Sequence, residues 1–188
     1  MKKIKIIAVL AAGLFVFNAC SGKKDDPNHI VVGITYGPEL EIAEAAKKVA
    51  KEKYNLDVEL IPFNDYVVPN EALNNGDIEA NAFQHVPYLN EQSKQRGYKL
   101  AVVGNTFVYP IVAYSKKIRT ISQLQNGSTI VIPNDPTNEG RSLLLLQKNG
   151  LLKLKEGTGL LPKVTDITEN PKQLKILEIE APQLPRVL

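Results

Sequence analysis

The sequence predicts an α/β protein built as two lobes with a ligand cleft between them. Three observations predict it: a strand–helix–strand block opens at His29, a strand–helix pattern restarts at Ser128, and the chain begins with a basic run and a short apolar stretch of the kind that directs export. The first block starts with His29-Ile-Val-Val-Gly-Ile-Thr-Tyr36, a β-branched run of the kind buried on both faces of a parallel sheet. Gly37-Pro38 ends it. From Glu39 to Tyr54, Leu40, Ala43, Ala46, Val49 and Ala50 recur at helical spacing, with Glu41, Lys47, Lys48 and Lys51 opposite. Asp57 to Phe63 is the next strand. A right-handed parallel crossover follows from that order. Open α/β sheets bind ligands beyond the carboxyl ends of their strands, which here carry Tyr36-Gly37 and Phe63-Asn-Asp-Tyr66.

A helix from Pro69 to Asn75, stopped by Gly76, comes next, then a strand over Ile78 to Phe83 and a helix over Val86 to Arg96. Tyr98 to Thr106 and Phe107 to Ser115 are two further strand candidates, the second demoted to an edge by Pro110. The polar run from Lys116 to Gln123 marks a boundary, so the first lobe is expected over residues 29–115 and the second over 116–188. In the second, Ser128 to Ile132 forms a strand feeding the polar turn Ile132-Pro-Asn-Asp-Pro-Thr-Asn-Glu-Gly-Arg141. An apolar helix follows from Ser142 to Lys148 and stops at Asn149-Gly150. Strand, polar turn and helix start leave free N–H groups at the positive end of a helix dipole, a site for an anion. A cation such as Arg141 there is unfavourable by roughly 0.3–1 kcal/mol, and a bound anion between them accounts for it. Leu174 to Glu180 is a last strand, and residues 181–188 begin an element left unfinished at Leu188.

The amino-terminal Met1-Lys-Lys-Ile-Lys5 is basic, and Ile6 to Phe17 is apolar but too short to span a bilayer comfortably. It leads into Phe17-Asn-Ala-Cys20, the chain's single cysteine. This resembles a bacterial lipoprotein signal peptide, which implies removal of residues 1–19, diacylglycerol attachment at Cys20 and a polar tether over 20–28. The other reading is an ordinary secretory signal with a chance cysteine. A lone cysteine forms no internal disulfide. Lys2, Lys3 and Lys5 are three of the 23 basic residues and no acid precedes Cys20, so the remainder balances the 20 acidic residues. No basic excess is left for nucleic acid. Catalysis finds no serine elbow, no phosphate-cradling glycine loop and no thiol free of the lipid. Two histidines, His29 and His85, are too few for a transition-metal carrier. No cofactor is implied, and the reading is of a binding protein rather than an enzyme.

Tyr66, Phe83, His85 and Tyr88 are a dense group in a chain that is only 6% aromatic, and all fall at strand ends or helix starts. Aromatic faces offer apolar area and a favourable contact for a thioether. His85 and the tyrosine hydroxyls can fix orientation. Three stretches carry a closer resemblance: Phe63-Asn-Asp-Tyr-Val-Val-Pro-Asn-Glu-Ala-Leu73, Glu79-Ala-Asn-Ala-Phe-Gln-His-Val-Pro-Tyr-Leu89 and Ile132-Pro-Asn-Asp-Pro-Thr-Asn-Glu-Gly-Arg141. With Asn170-Pro-Lys and Gln183-Leu-Pro-Arg186, they resemble the methionine-binding lipoprotein family, the NlpA/MetQ group, from about Ile30 to the last residue. The resemblance implies a periplasmic-binding-protein fold with an incomplete second lobe, and a truncated gene product or record. It implies capture of L-methionine, D-methionine or a methionine-containing dipeptide for an ABC permease and its ATPase subunits, from a bacterial cell envelope. Tyr66, Phe83, His85 and Tyr88 would surround the side chain, while Asn138 and Arg141 hold the polar end. Plainer roles stand beside these: Phe83 and Tyr88 in a core, His85 as a structural histidine, Asn138 at the helix start, Arg141 paired with Glu139. A surface lipoprotein of the same fold that acts by macromolecular contact is the other functional class.

Overall fold

The computed structural model describes residues 26–188, so the expected signal peptide, Cys20 and most of the tether lie outside the described residues. Strand β1 (His29–Thr35) is the centre of a parallel sheet. β2 (Asp57–Phe63) pairs with it along its full length, from His29 opposite Asp57 to Thr35 opposite Phe63. On the other side, β3 (Ala80–Asn81) pairs with Val32 and Gly33. The central position explains why the β-branched run is buried: Val31 and Ile34 are nearly inaccessible, and Val31 forms a core with Ala72 and Ile78.

Helix α1 (Pro38–Tyr54) makes the crossover. Pro38 opens it, Glu39 and Glu41 face the positive end of its dipole, Lys51 and Lys53 the negative end, and left-handed Asn55 closes it. Its apolar face is less buried than its periodicity predicts: no residue of α1 is fully buried, and Ala46 and Val49 stay exposed. The sheet beneath is three strands wide, and β3 is two residues long. Helix α2 (Val68–Asn75) ends on Gly76 and α3 (Val86–Arg96) on Gly97. Before α2, Asp65 accepts from the backbone N–H groups of Val67 and Val68, each at 2.7 Å.

Two strand expectations differ. Ile78 to Phe83 contributes only Ala80–Asn81 to the sheet. Tyr98 to Thr106 and Phe107 to Ser115 pair with no strand among the described residues, and Val103 is 96% exposed. Their composition favours extended backbone, but a strand exists only where another chain segment supplies partners for its N–H and C=O groups.

The second block has its own core of Ile132, Leu143, Leu146, Leu151, Leu152, Leu154 and Leu174. β4 (Thr129–Pro133) lies parallel to a strand numbered β7 (Lys175–Ile179), and between them in sequence β5 (Lys153–Leu154) pairs antiparallel with β6 (Ile167–Glu169). Helix α4 (Pro136–Lys148) begins at Pro136 rather than at Ser142. Asp135 is its cap and Pro136 its first residue, the pairing that Asp-Pro favours, so most of the expected polar turn is helix. A 3-10 turn (Ala181–Gln183) leads into the short α5 (Leu184–Val187). No helix among the described residues is long and apolar enough to cross a membrane.

Gly140 on α4 touches the segment before Pro162. A Cβ there would lie 2.5 Å from the Leu160 carbonyl oxygen and 3.1 Å from Leu161 Cα and Pro162 Cδ. Backbone atoms cannot rotate away, so Gly140→Ala is expected to destabilise by about 1–3 kcal/mol, the range for overpacking. Gly104→Ala, with nothing within 4 Å, is the control. Urea unfolding followed by circular dichroism reads the difference, and coincident midpoints would reject close packing at Gly140.

Candidate functional site

All six expected residues line one cavity of about 820 Å³. Tyr66, Phe83, His85 and Tyr88 come from the first block and Asn138 and Arg141 from α4, with residues of the unpaired 98–115 segment forming a further wall. That volume lies in the range of roughly 300–1,000 Å³ typical of small-molecule sites.

The aromatic side is a mutually packed cluster. Tyr66 lies with its ring centroid 5.9 Å from Phe83 and 6.2 Å from Tyr88, and Phe83 is 6.2 Å from Tyr88 in an edge-to-face arrangement. His85 stacks on Tyr88 at 6.4 Å. Tyr88 is the anchor: it is 4% exposed and its hydroxyl donates to the Tyr66 carbonyl at 2.9 Å. Burial and the carboxylate of Asp135 push its phenol well above the usual value, so it stays protonated. Tyr66 is raised in the same way, by burial first and then by Glu39 and Asp135. The plainer role for Tyr88, a core aromatic, is therefore true of it as well.

His85 sits at the N-cap position of α3 with extended backbone. Its Nε2 is inaccessible and has no hydrogen-bond partner among the described residues. Burial lowers its basicity, Arg141 lowers it further, and Asp135 partly opposes both. The ring is thereby held neutral at neutral pH.

The polar side differs from the expected open helix start. Asp135 occupies that position: its Oδ1 accepts from the Asn138 backbone N–H at 2.9 Å and from the Thr137 hydroxyl at 2.7 Å. The Asn138 side-chain amide donates to both Asp135 oxygens, at 3.2 and 3.0 Å, and its Oδ1 accepts from Arg141 at 3.0 Å. Arg141 donates its other terminal nitrogen to the Tyr109 carbonyl at 2.8 Å. The helix start thus has a built-in carboxylate, which leaves Arg141 as the cationic group of this side. Arg141 does not pair with Glu139, which is buried and accepts from the Val164 N–H at 2.8 Å. Burial pushes the Glu139 carboxyl above the usual range despite that bond.

Sequence reasoning gave no role to Asp135 or to the Tyr109 carbonyl. The first was recoverable, since Asp-Pro-Thr before an apolar run is a helix-start signature. The second was not, because a backbone carbonyl leaves no trace in residue type.

A sheet-centred first block, a second α/β block and a shared cavity with an aromatic and a cationic side define a two-lobed solute-binding protein of the periplasmic type. The family described as NlpA lipoprotein matches residues 30–188. The D-methionine-binding lipoprotein MetQ of Escherichia coli K12 is 63% identical over 188 residues, covering 99% of this chain and 69% of that relative. A crystal structure of the methionine-binding protein MetQ superposes with a TM-score of 0.85 at 69% identity, over 87% of this chain and 66% of that one. A nutrient-binding protein from Burkholderia cenocepacia, solved bound to methionine, gives 0.82 at 54% identity over 85% of this chain and 67% of that one. The chain belongs to the NlpA lipoprotein family, and it spans about two thirds of the length of these relatives.

The His85 environment gives a signed expectation. A histidine with a depressed folded-state pKa contributes stability that is complete above the ordinary value of 6.5 and lost as pH falls through the lowered one. An NMR titration of the two imidazoles is expected to place the His85 midpoint below 6.5, and Arg141→Ala to move it upward. A His85 midpoint at or above 6.5 contradicts the burial argument.

Proposed function

We propose that this chain is a solute-binding lipoprotein of the cell envelope that captures L-methionine, D-methionine or a methionine-containing dipeptide and hands it to an ABC permease with its ATPase subunits. In this reading it catalyses no reaction. Residues 29–115 and 116–188 act as the two lobes, and lipid on Cys20 tethers them to the membrane through residues 20–28. The observation that carries it is the convergence of Tyr66, Phe83, His85, Tyr88, Asn138 and Arg141 on one cavity. The chemistry fits a thioether amino acid: each sulfur–ring contact adds about 0.3–1.5 kcal/mol, neutral His85 adds no charge beside the apolar group, and the planar fork of Arg141 suits a carboxylate. The names of the relatives point to the same ligand.

Contact with another polypeptide is a second reading, favoured by the exposed apolar side chains Val103, Val108, Val112 and Tyr114 on the unpaired segment. A chain that shows no heat with methionine at millimolar concentration, but forms a defined complex with an envelope protein, would establish this reading over capture.

Titration calorimetry tests capture directly. Arg141→Ala is expected to weaken methionine binding by about 2–5 kcal/mol, the range for truncating one partner of a buried charged pair. Equal affinity in the two proteins removes the carboxylate role from Arg141. For the tether, Cys20→Ala is expected to abolish fatty-acid labelling and to shift the protein from the membrane to the soluble envelope fraction. Retention in the membrane without label rejects Cys20 as the anchor.

A further inference from the structure

Phe83 and His85 both line the cavity, yet little backbone structure holds them. The Ala82 N–H donates to the Gly33 carbonyl at 2.9 Å on one side. On the other, the His85 carbonyl accepts from Tyr88 and Leu89, at 3.0 and 3.2 Å, as α3 begins. Between them, Phe83 and Gln84 make no backbone hydrogen bond to any described residue. What holds this stretch is the side chain of Gln84. Its Oε1 accepts from Asn70 Nδ2 at 2.8 Å, while its Nε2 donates to Asn70 Oδ1 at 2.6 Å and to Asn81 Oδ1 at 3.2 Å. Asn81 in turn donates to Asn70 Oδ1 at 3.0 Å and to the Pro69 carbonyl at 3.1 Å.

Asn70 is the hub, and it is 0% exposed. It sits on the first turn of α2, which follows the loop carrying Tyr66. Burying amides, Asn70 fully and Asn81 and Gln84 in part, costs free energy unless each finds partners, and apolar side chains at the same places would avoid that cost. The reciprocal amide pair offers what an apolar contact cannot: it fixes rotation as well as distance, because swapping the oxygen and nitrogen of either amide sets like atoms against each other.

We propose that Asn70, acting with Asn81 through Gln84, is the positioning element of the ligand cavity, aiming Phe83 and His85 against the Tyr66–Tyr88 pair. The proposal rests on the capture reading for its ligand but not for its geometry. Asn70, which does not line the cavity, is the positioning residue. Asn81 and Gln84 do line it, so the affinity loss that isolates positioning is that of Asn70→Leu, and for the Gln84 variants the His85 resonance decides.

The test compares Asn70→Leu, Gln84→Leu, the double variant and the milder Gln84→Met, which keeps an unbranched chain and is available should Asn70→Leu not fold. Each is measured for melting temperature, L-methionine affinity well below melting, and the position and width of the His85 imidazole resonance, with His29 as internal reference. A positioning role predicts at least tenfold weaker binding in each single variant. It predicts a double variant no weaker than the worse single one, because the residues act as a unit. The His85 resonance should shift or broaden while that of His29 stays in place. Variants that melt earlier but bind at wild-type affinity and leave His85 unmoved would overturn the proposal and leave the amides as packing alone. Should the wild-type chain itself not bind methionine, the ligand reading fails, and the His85 resonance still decides the positioning.

Discussion

The carboxylate of Asp135 is the charge around which both sides of the cavity are arranged. It caps α4 through the Asn138 backbone and holds the Asn138 side chain. Through that amide it orients Arg141. Its field also reaches the first block, raising Tyr66 and Tyr88 and partly offsetting what Arg141 does to His85. Asp135 thus fixes the guanidinium on one side, while burial, the larger cause, keeps the two phenols opposite it protonated. Without the cap, the helix start would itself attract anions, and the site would have two competing cationic centres. With it, the guanidinium is the cationic centre left at the cavity among the described residues.

Packing behind α4 keeps that geometry rigid. Leu143 and Leu146 bury one face of the helix in the second core, and Glu139 and Gly140 clamp another against residues 160–164. Glu139 is a costly choice for a buried position, since its burial raises the carboxyl pKa. The bond to the Val164 N–H recovers part of that cost and ties the loop to the helix just one turn from Arg141. The residues of α4 that never face the cavity therefore determine how far those that do can drift.

Much of this was legible in the sequence, for identifiable reasons. The strand from His29 could be read because burial on both faces demands a continuous β-branched run, and the crossover could be read because Gly37-Pro38 punctuates it and helical spacing runs from Glu39 to Tyr54. The convergence of Tyr66, Phe83, His85, Tyr88, Asn138 and Arg141 on one cavity could be anticipated because their motifs are long and ordered. What the sequence hid was partnership. Nothing in Tyr98 to Ser115 distinguishes a paired strand from the unpaired segment observed, since propensity describes a residue and pairing describes a neighbour. Helix α4 starts before the apolar run at Leu143 because Asp135-Pro136 is the stronger local start signal. The Asn70–Asn81–Gln84 cluster was invisible for a third reason: amides in a motif look like surface polarity until the fold brings them together.

The unpaired segment has a consequence for how a carboxylate could enter. Arg141 is engaged by two neutral oxygens, Asn138 Oδ1 and the Tyr109 carbonyl. A carboxylate adds charge attraction and can accept from both terminal nitrogens of the guanidinium at once, which neither neutral oxygen does, so on the capture reading it outcompetes either. The two are not equally easy to displace. Asn138 is fixed from behind by Asp135, whereas the backbone from Tyr98 to Tyr114 makes no other hydrogen bond among the described residues. Exchange at the Tyr109 side therefore costs least. It leaves the Asn138–Arg141 pair intact and frees the wall formed by residues 98–115. On the capture reading, a single guanidinium contact would then couple the arrival of a carboxylate to the position of the most loosely held wall of the cavity.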